Sequence, residues 1–358
     1  MLESGARLGP VEVAYETYGT LNDDGTNAVY VCHALTGDAH AAGHHGDPDR
    51  RGWWDNLIGP GRPVDTDRFF VVCANLLGGC QGTTGPASQD PATGRPYGLR
   101  FPLVTVRDLV TVHRALLGHL GVGRLAGAIG GSLGGMQVLQ WAIDHPDDIA
   151  AAMMICSSAR LSAQNIAFSA VAREAIMRDP DFQGGDYYGT GRSPDTGLSI
   201  ARMMAHITYL SEASMREKFG RRLQHGDAPR FDFRVDFQVE SYLQHQGESF
   251  LKRFDANTYL YMTRVMDYFD AFGDTAAAAP PGPGGTATRF LVISFDSDWR
   301  FDTEHSREIV RHLQAWRVPV TSREIASPWG HDSFLLEIPE YHRTVKAFLA
   351  RAADETGV

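Results

Sequence analysis

The chain has 358 residues, 43% of them hydrophobic, and a formal net charge of −10, which is typical of a globular protein and leaves no general basic face for nucleic acid. No apolar stretch is long enough for a membrane span, and the N-terminus lacks the pattern of a secretory signal. The four cysteines form no C-x-x-C pair, so we expect free thiols, no metal site and a cytoplasmic location.

Short apolar runs alternate with segments of helical periodicity in the first part of the chain. The order of predicted elements is a strand at 11–19, strands at 27–35 and 68–75, a helix at 105–121, a strand at 125–129, a helix at 133–144 and a strand at 151–156. Strands that are apolar throughout are buried on both faces, and their alternation with helices predicts a parallel sheet between two helical layers.

The pattern changes after residue 157. Residues 160–270 are mostly helical in pattern and rich in methionine and tyrosine, and residues 275–285 (TAAAAPPGPGG) are typical of a loop or linker. The sheet pattern then resumes with a strand at 289–295, a helix near 303–316, a strand near 318–325 and a helix near 339–352. We predict an α/β core formed by residues 1–157 and 286–358, interrupted by a helical lid insertion at 158–285.

A glycine-rich bend lies between a predicted strand and a predicted helix. Residues 130–134 read GGSLG and fit the pattern G-x-S-x-G, with Ser132 at the centre. A serine in a tight strand-to-helix turn projects its hydroxyl above the sheet, and the crowded turn requires small residues two positions before and after it. We interpret Ser132 as a nucleophile, in preference to a loop that only turns or that cradles a phosphate.

A serine nucleophile needs a base, and the base needs an acid that orients it. In this type of fold the chain order is serine, acid, histidine. The segments 294–301 (SFDSDWRF) and 327–334 (SPWGHDSF) follow the last two predicted strands, at the sheet edge where α/β proteins bind ligands. We predict His331 as the base and leave Asp296 and Asp298 as competing candidates for the acid.

Two backbone amides are candidates for an oxyanion hole. One is the N–H of Leu133, directly after the serine, and the other is the N–H of Leu35 in the loop CHALTGDAHAAG at 32–43. The same region holds a group of polar residues that we interpret as the mouth of the site, because no helix sets the spacing that a metal would need. These residues are Asp38, His40, His44, His45 and Asp47.

Longer motifs make the chain resemble the homoserine O-acyltransferases of the α/β-hydrolase superfamily, and the resemblance covers nearly the whole chain. The motifs are HALTGDAHAAG, GWWDNLIGPGRPVDTDRFFVVCANLLGGCQGTTGP, GGSLGGMQ, LSAQNIAF, ARMMAHITYLS, KFGR, FQVESYL, RFDANTYL, SDWRF and GHDSF. The resemblance implies an α/β-hydrolase fold, with a mostly parallel central sheet, helices on both faces and a helical lid insertion. It also implies a homodimer that feeds methionine synthesis and needs no cofactor, with acyl-CoA as co-substrate.

The family pattern also assigns roles to individual residues. It places the nucleophile on Ser132, the base on His331 and the acid on Asp298 in SDW, in preference to Asp296. Family members bind the homoserine carboxylate with an arginine that is supported by a tyrosine seven positions later. Those residues are Arg202 and Tyr209 here, and two helical turns place them on one face. Asp332, beside the base, is implied as the partner of the homoserine ammonium.

The identity of the acyl donor depends on the residue two positions after the acid. Relatives that use acetyl-CoA usually carry an apolar residue there, and relatives that use succinyl-CoA resemble SDWRF, as this chain does with Arg300. A cation near the acyl group can pair with the free carboxylate of a succinyl group. We therefore favour succinyl-CoA and retain acetyl-CoA as the alternative, in which Arg300 points to solvent.

These residues predict a double-displacement mechanism through an acyl-serine, with homoserine as the acceptor. Three rivals remain. A related group acylates serine, but its members carry asparagine where this chain has Gly131. A plain esterase or amidase could use the same Ser, His and Asp, and an inactive hydrolase fold could act as a binding module.

Overall fold

The predicted parallel sheet is present in the computed structural model, which describes residues 1–44, 49–273 and 288–357. The strands of the central sheet are β1 (Tyr15–Tyr18), β2 (Ala28–Cys32), β5 (Phe70–Ala74), β6 (Leu125–Gly131), β7 (Ile149–Ile155), β8 (Arg289–Phe295) and β9 (Val320–Ile325). Their order across the sheet is β1-β5-β2-β6-β7-β8-β9. Strand β1 pairs antiparallel with β5, and the other neighbours pair in parallel. A further ladder of β3 (Ile58–Gly59) and β4 (Val64–Asp65) is too short for sequence periodicity to reveal.

The helices surround this sheet and also form the insertion. Their bounds are α1 (Val106–Leu120), α2 (Leu133–Asp144), α3 (Ala163–Met177), α4 (Asp195–Tyr209), α5 (Glu212–Lys218), α6 (Gln238–Leu251), α7 (Ala256–Asp267), α8 (Thr303–Ala315) and α9 (Pro339–Thr356). Three-residue to six-residue 3-10 turns lie at Gly98–Arg100, Gln183–Gly185 and Gly330–Leu335. Within the described ranges, no helix is both long and apolar enough to cross a membrane.

The core has two layers because both faces of the sheet are covered. In β2, Tyr30 packs into the apolar cluster shared with α1, α2 and α8, and the next residue, Val31, packs into the opposite cluster with α9. Alternate side chains of one strand therefore enter different layers, which explains why the strand is apolar throughout.

Helix α1 shows how local signals set the element bounds. The Thr105 side chain accepts a hydrogen bond from the Asp108 amide, and Asp108 bonds back to the Thr105 amide, which completes a capping box. The helix ends at Gly121, whose φ of 76° lies in the left-handed region that glycine favours. The strong signals at both ends explain why the predicted and observed helix agree.

The described residues between β7 and β8 contain the helices α3 to α7. Helix α4 packs between α3 and α6, and three of its residues, Arg202, His206 and Tyr209, line a cavity together with loops of the core. The bridge between Arg160 and Asp270 joins the two ends of the insertion where it leaves and rejoins the core. The predicted linker at 275–285, and the boundary at 285–286, lie outside the described residues.

Candidate active site

Ser132 occupies the sharp corner between β6 and α2. Its backbone has φ 57° and ψ −124°, a conformation that non-glycine residues rarely adopt. The glycines on either side are sterically required. A Cβ atom at Gly130 would lie 2.3 Å from the carbonyl carbon of Gly134, and one at Gly134 would lie 2.0 Å from the carbonyl oxygen of Cys32. The turn thus has the crowded geometry that the G-x-S-x-G pattern predicts.

The acid and the base come from the loops after β8 and β9. The Nδ1 atom of His331 lies 2.7 Å from Oδ2 of Asp298, and both side chains are buried. The other carboxylate oxygen of Asp298 accepts the amides of Arg300 and Phe301 at 3.0 and 2.9 Å. With Nδ1 engaged as the donor, Nε2 of His331 remains available to accept a proton.

Asp296 has a different position from its competitor. Its carboxylate accepts the backbone N–H of Ser327 at 2.9 Å, and its amide donates to the Ile325 carbonyl at 3.1 Å. These bonds tie the loop after β8 to the loop after β9. Asp296 therefore supports the loop that carries His331, and Asp298 is the carboxylate that contacts the ring.

Ser132 and His331 line one cavity of about 540 Å³. Among the described residues, no hydrogen bond joins the serine hydroxyl to the ring in this state. Such bonds are often long without substrate and shorten when it binds. The shared cavity is thus the geometric basis for treating the two side chains as partners.

The two predicted oxyanion donors lie at the start of α2 and in the loop after β2. Neither the Leu133 amide nor the Leu35 amide donates a hydrogen bond to another described residue. The side chain of Gln137 holds the two segments together, since its Nε2 donates to the carbonyls of His33 and Leu133, both at 3.1 Å. Two free amides beside one hydroxyl form an arrangement suited to a developing oxyanion.

The cavity is cationic although the chain as a whole is acidic. Its charged lining consists of Asp38, Arg50, Arg51, Arg202, Arg253 and Asp332, so arginines outnumber acids. Guanidinium groups bind carboxylates and phosphates through paired hydrogen bonds. The cavity can therefore hold anionic ligands.

Arg202 and Tyr209 both face this cavity from α4, two helical turns apart. The Arg202 guanidinium lies 5.7 Å from the Tyr209 ring centroid and 4.6 Å from that of Phe250, and it donates to the Thr36 hydroxyl at 3.3 Å. The Tyr209 ring is 6.0 Å from the His331 ring. The predicted substrate wall and the predicted base are thus neighbours.

Asp332 lies in the cavity wall beside His331. Burial raises the pKa of Asp332 to about 6, and this effect exceeds the opposing influence of the nearby His331 and of the Arg202 cation. The carboxyl group is therefore ionised at neutral pH and gains a proton in mildly acidic solution.

Arg300 is neither exposed to solvent nor in the wall of the large cavity. Its guanidinium donates to the Thr208 hydroxyl at 2.7 Å and lies 5.7 Å from the Tyr209 ring centroid. The Arg300 side chain is buried behind that ring. The Arg300 carbonyl accepts the side-chain amide of Asn165 at 2.8 Å. In this structure Arg300 contacts the site through Tyr209.

Arg253 and His206 line the cavity and Phe250 contacts two of its arginines, and none of these three was singled out from the sequence. Arg253 follows α6 and donates to the Thr36 carbonyl at 2.8 Å. Phe250 stacks with both Arg202 and Arg253. His206, whose pKa is lowered to about 3 by burial and by nearby cations, bonds to Tyr242 at 3.0 Å. Arg253 lies in the motif RFDANTYL, but no spacing rule connects that motif to the loop after β2.

His40 of the histidine-rich loop has structural partners, and the cysteines form no disulfide. His40 contacts Glu16 at 3.0 Å and the Arg50 carbonyl at 2.9 Å, while His45 and Asp47 lie outside the described residues. The four cysteines are free thiols. One of them, Cys156, brings its sulfur within 4.8 Å of the ligand atoms of Asp298 and His331. Burial raises the pKa of the Cys156 thiol, and a protonated thiol is a poor metal ligand.

Comparison with known proteins shows which family the chain belongs to. A family described as "alpha/beta hydrolase fold" matches residues 27–338. A homoserine O-succinyltransferase from Nocardioides sp. is 59% identical, with 97% of this chain and 94% of the relative covered. A homoserine O-acetyltransferase from Rhodospirillum rubrum is 54% identical, with 100% of this chain and 91% of the relative covered.

Two solved structures are also similar over most of their length. The homoserine O-acetyltransferase from Bacillus anthracis has a TM-score of 0.89 and 28% identity, with 97% of this chain and 94% of that chain covered. Esterase E22 has a TM-score of 0.87 and 29% identity, with 97% and 96% covered. By its fold and its full-length sequence similarity, the chain belongs to the homoserine O-acyltransferase family of α/β-hydrolase proteins.

Proposed function

We propose that this enzyme transfers an acyl group from acyl-CoA to the hydroxyl of homoserine. The observation that carries this proposal is one cavity that joins Ser132 and His331 to the wall formed by Arg202, Tyr209 and Asp332. Ser132 and His331 suit acyl transfer through a serine. Arg202 offers a cation for a carboxylate and Asp332 offers an anion for an ammonium, and these are the two charged groups of an amino acid.

In the first half-reaction, His331 takes the proton of the Ser132 hydroxyl as its oxygen attacks the thioester carbonyl. The negative charge that develops on the carbonyl oxygen is held by the amides of Leu35 and Leu133. The C–S bond breaks, His331 returns the proton to the departing thiolate, and an acyl ester remains on Ser132. Asp298 stabilises the imidazolium that forms between these two transfers.

In the second half-reaction, homoserine is the acceptor. Arg202 binds its carboxylate, Tyr209 supports that arginine, and Asp332 pairs with its ammonium. His331 removes the proton of the homoserine hydroxyl, which attacks the acyl ester, and the proton then returns to Ser132. Helix α4 and the segment after α6 form part of the cavity wall, and in this mechanism the insertion limits the access of water that would hydrolyse the ester.

We favour succinyl-CoA as the donor because the cavity lining has an excess of arginines over acids. Acetyl-CoA is a second candidate, and the position of Arg300 behind Tyr209 favours it, because no direct contact with an acyl carboxylate exists there. If Arg300 does influence donor choice in this arrangement, it acts by holding Tyr209. Serine as the acceptor is less favoured, because the related group that acylates serine carries asparagine at the position of Gly131. A Cβ atom at Gly131 would lie 2.4 Å from the Phe334 ring, so this site has no room for asparagine.

The assembly and location that we propose are a homodimer in the cytoplasm. Exposed apolar side chains on α3 and α4 support a contact there, with Val171 58% and Ile200 48% exposed. Free thiols are the form expected in a reducing compartment. Light scattering by the purified chain should give the mass of two chains, and the mass of one chain would contradict the dimer.

The deciding experiment incubates the purified enzyme with homoserine and either succinyl-CoA or acetyl-CoA, and identifies the product by mass spectrometry. We expect O-succinylhomoserine in preference to O-acetylhomoserine. CoA release at the same rate with and without homoserine would instead indicate a hydrolase. This alternative is tested because the fold is also similar to that of esterase E22. Failure of Ser132 to react with a fluorophosphonate would indicate a binding module.

A further inference from the structure

The loop that carries the Leu35 amide is built as a tight turn. The Gly37 amide donates to the Ala34 carbonyl at 3.0 Å, so Leu35 and Thr36 are the two central residues of a four-residue turn. The Nδ1 atom of His33 lies 2.8 Å from the same Ala34 carbonyl. The direction of the Leu35 N–H is therefore coupled to the conformation of Thr36.

Two arginines of the insertion hold Thr36. Arg253 donates from Nη1 to the Thr36 carbonyl at 2.8 Å, and Arg202 donates from Nη1 to the Thr36 hydroxyl at 3.3 Å. Arg253 is itself held, because its guanidinium lies 5.2 Å from the Phe250 ring centroid and its carbonyl accepts the side-chain amide of Gln81. A clamp from the insertion thus reaches a turn of the core.

The surroundings of Arg253 distinguish this clamp from an ion pair. Among the described residues, no carboxylate forms a salt bridge with Arg253. Partial loss of water and the nearby Arg202 cation lower the pKa of Arg253. Part of the Arg253 side chain is exposed to solvent, and its Nη1 atom donates to the backbone carbonyl of Thr36.

We propose that Arg253 is a positioning residue for the oxyanion hole: by holding the Thr36 carbonyl, it keeps the Leu35 amide directed at the reacting carbonyl oxygen. This inference rests on the proposed function, since the direction of that amide matters only if Ser132 is acylated. A small misalignment of an oxyanion donor costs rate at the acylation step itself, whichever acyl donor is used.

A neutral ester separates positioning from anion binding. The ester p-nitrophenyl acetate carries neither the phosphates of CoA nor a carboxylate, so a residue that only binds anions does not affect its reaction with Ser132. With saturating p-nitrophenyl acetate, we expect the acylation rate of Arg253→Met to be about tenfold or more below that of the wild-type enzyme. The homoserine KM should stay within about twofold, because Arg202 remains in place.

Conservative and neighbouring variants serve as controls. Arg253→Lys should recover most of the rate, because an ammonium at this position can still donate to the Thr36 carbonyl. Lys252→Met removes the adjacent exposed cation and should leave the rate unchanged. If Arg253→Met fails to fold, Arg253→Gln, which keeps a donor group, provides the comparison with Arg253→Lys.

Two results would overturn the inference. One is a normal rate with the neutral ester combined with a raised KM for acyl-CoA or homoserine, which would make Arg253 a ligand-binding residue. The other is no change in any of these quantities. A wild-type enzyme that reacts with the ester but transfers no acyl group to homoserine would instead overturn the proposed function, and the ester would still decide the role of Arg253.

Discussion

The serine turn and the helical insertion form the same cavity in different ways. The turn is made by residues 130–134, and its shape follows from backbone contacts among these residues and with the end of β2. The insertion contributes Arg202 and Tyr209 from α4 and Arg253 from the segment after α6, and these residues meet only because the helices pack together. In this molecule local sterics place the Ser132 hydroxyl, whereas helix packing places the arginines and the tyrosine of the cavity wall.

Some buried polar groups around the cavity are paired and others are not. Below the turn, His113 lies 2.8 Å from the Tyr30 hydroxyl and 2.9 Å from the Gln137 side chain, so both ring nitrogens have partners. In the insertion wall, Nε of Arg202 and Nε2 of His206 are buried with no partner among the described residues. Buried polar groups are usually paired, so unpaired ones are expected where a ligand completes the bonding.

The largest effect should come from the turn. We expect Ser132→Ala to lower the rate of CoA release by on the order of 10³-fold or more, because the nucleophile is lost while the folded cavity remains. Stopped-flow measurement of CoA release tests this. Ser158→Ala removes a nearby buried hydroxyl that has no bonding partner among the described residues and should change the rate little. Similar rates for the two variants would remove Ser132 from the chemistry.

The insertion should show a binding effect of intermediate size. We expect Arg202→Met to raise the homoserine KM by about 100-fold, because the carboxylate loses a charged hydrogen-bonding partner. Steady-state kinetics with varied homoserine measures this change. Arg178→Met, which breaks an exposed pair with Glu174 on α3, is the control and should have little effect. An unchanged homoserine KM in Arg202→Met would place the carboxylate elsewhere.

A glycine comparison tests whether the turn is fixed by sterics. A Cβ atom at Gly134 would collide with the Cys32 carbonyl at 2.0 Å, and that backbone atom lies within the central sheet. We expect Gly134→Ala to lower the free energy of unfolding by about 2 kcal/mol or more. Gly118 in α1 has open space, so Gly118→Ala should be neutral or stabilising. Equal urea midpoints for both variants would contradict the steric explanation.

The smallest effect should be a pH dependence of acceptor binding. Because the pKa of Asp332 is raised to about 6, its carboxyl group gains a proton as the pH falls from 7 to 5 and loses its attraction for an ammonium. In Ser132→Ala, calorimetry should therefore show homoserine affinity falling by about tenfold over this range. Asp332→Asn should abolish that dependence, and a dependence that persists in this variant would assign the effect to another group.

The sequence predicted those features that neighbouring residues control. Helix α1 was recognisable from its capping box and terminal glycine, and the strands were recognisable because apolar runs mark burial on both faces. Ser132 was recognisable because the glycines that its turn requires lie within two residues of it. Chain order after consecutive strands pointed to His331 and left Asp296 and Asp298 as candidates, since the carboxyl ends of parallel strands meet at one edge of the sheet. The family resemblance then favoured Asp298.

Tertiary structure decided the features that depend on where distant side chains point. It placed Arg300 behind Tyr209, although the family resemblance had suggested a contact with the acyl group, and it brought Arg253 to a turn 217 residues away. It also gave Asp296 and Asp298, two positions apart, separate partners. Local patterns act over one or two turns of chain and so define elements, whereas side-chain direction across a cavity is set by the packing of helices that are remote in sequence.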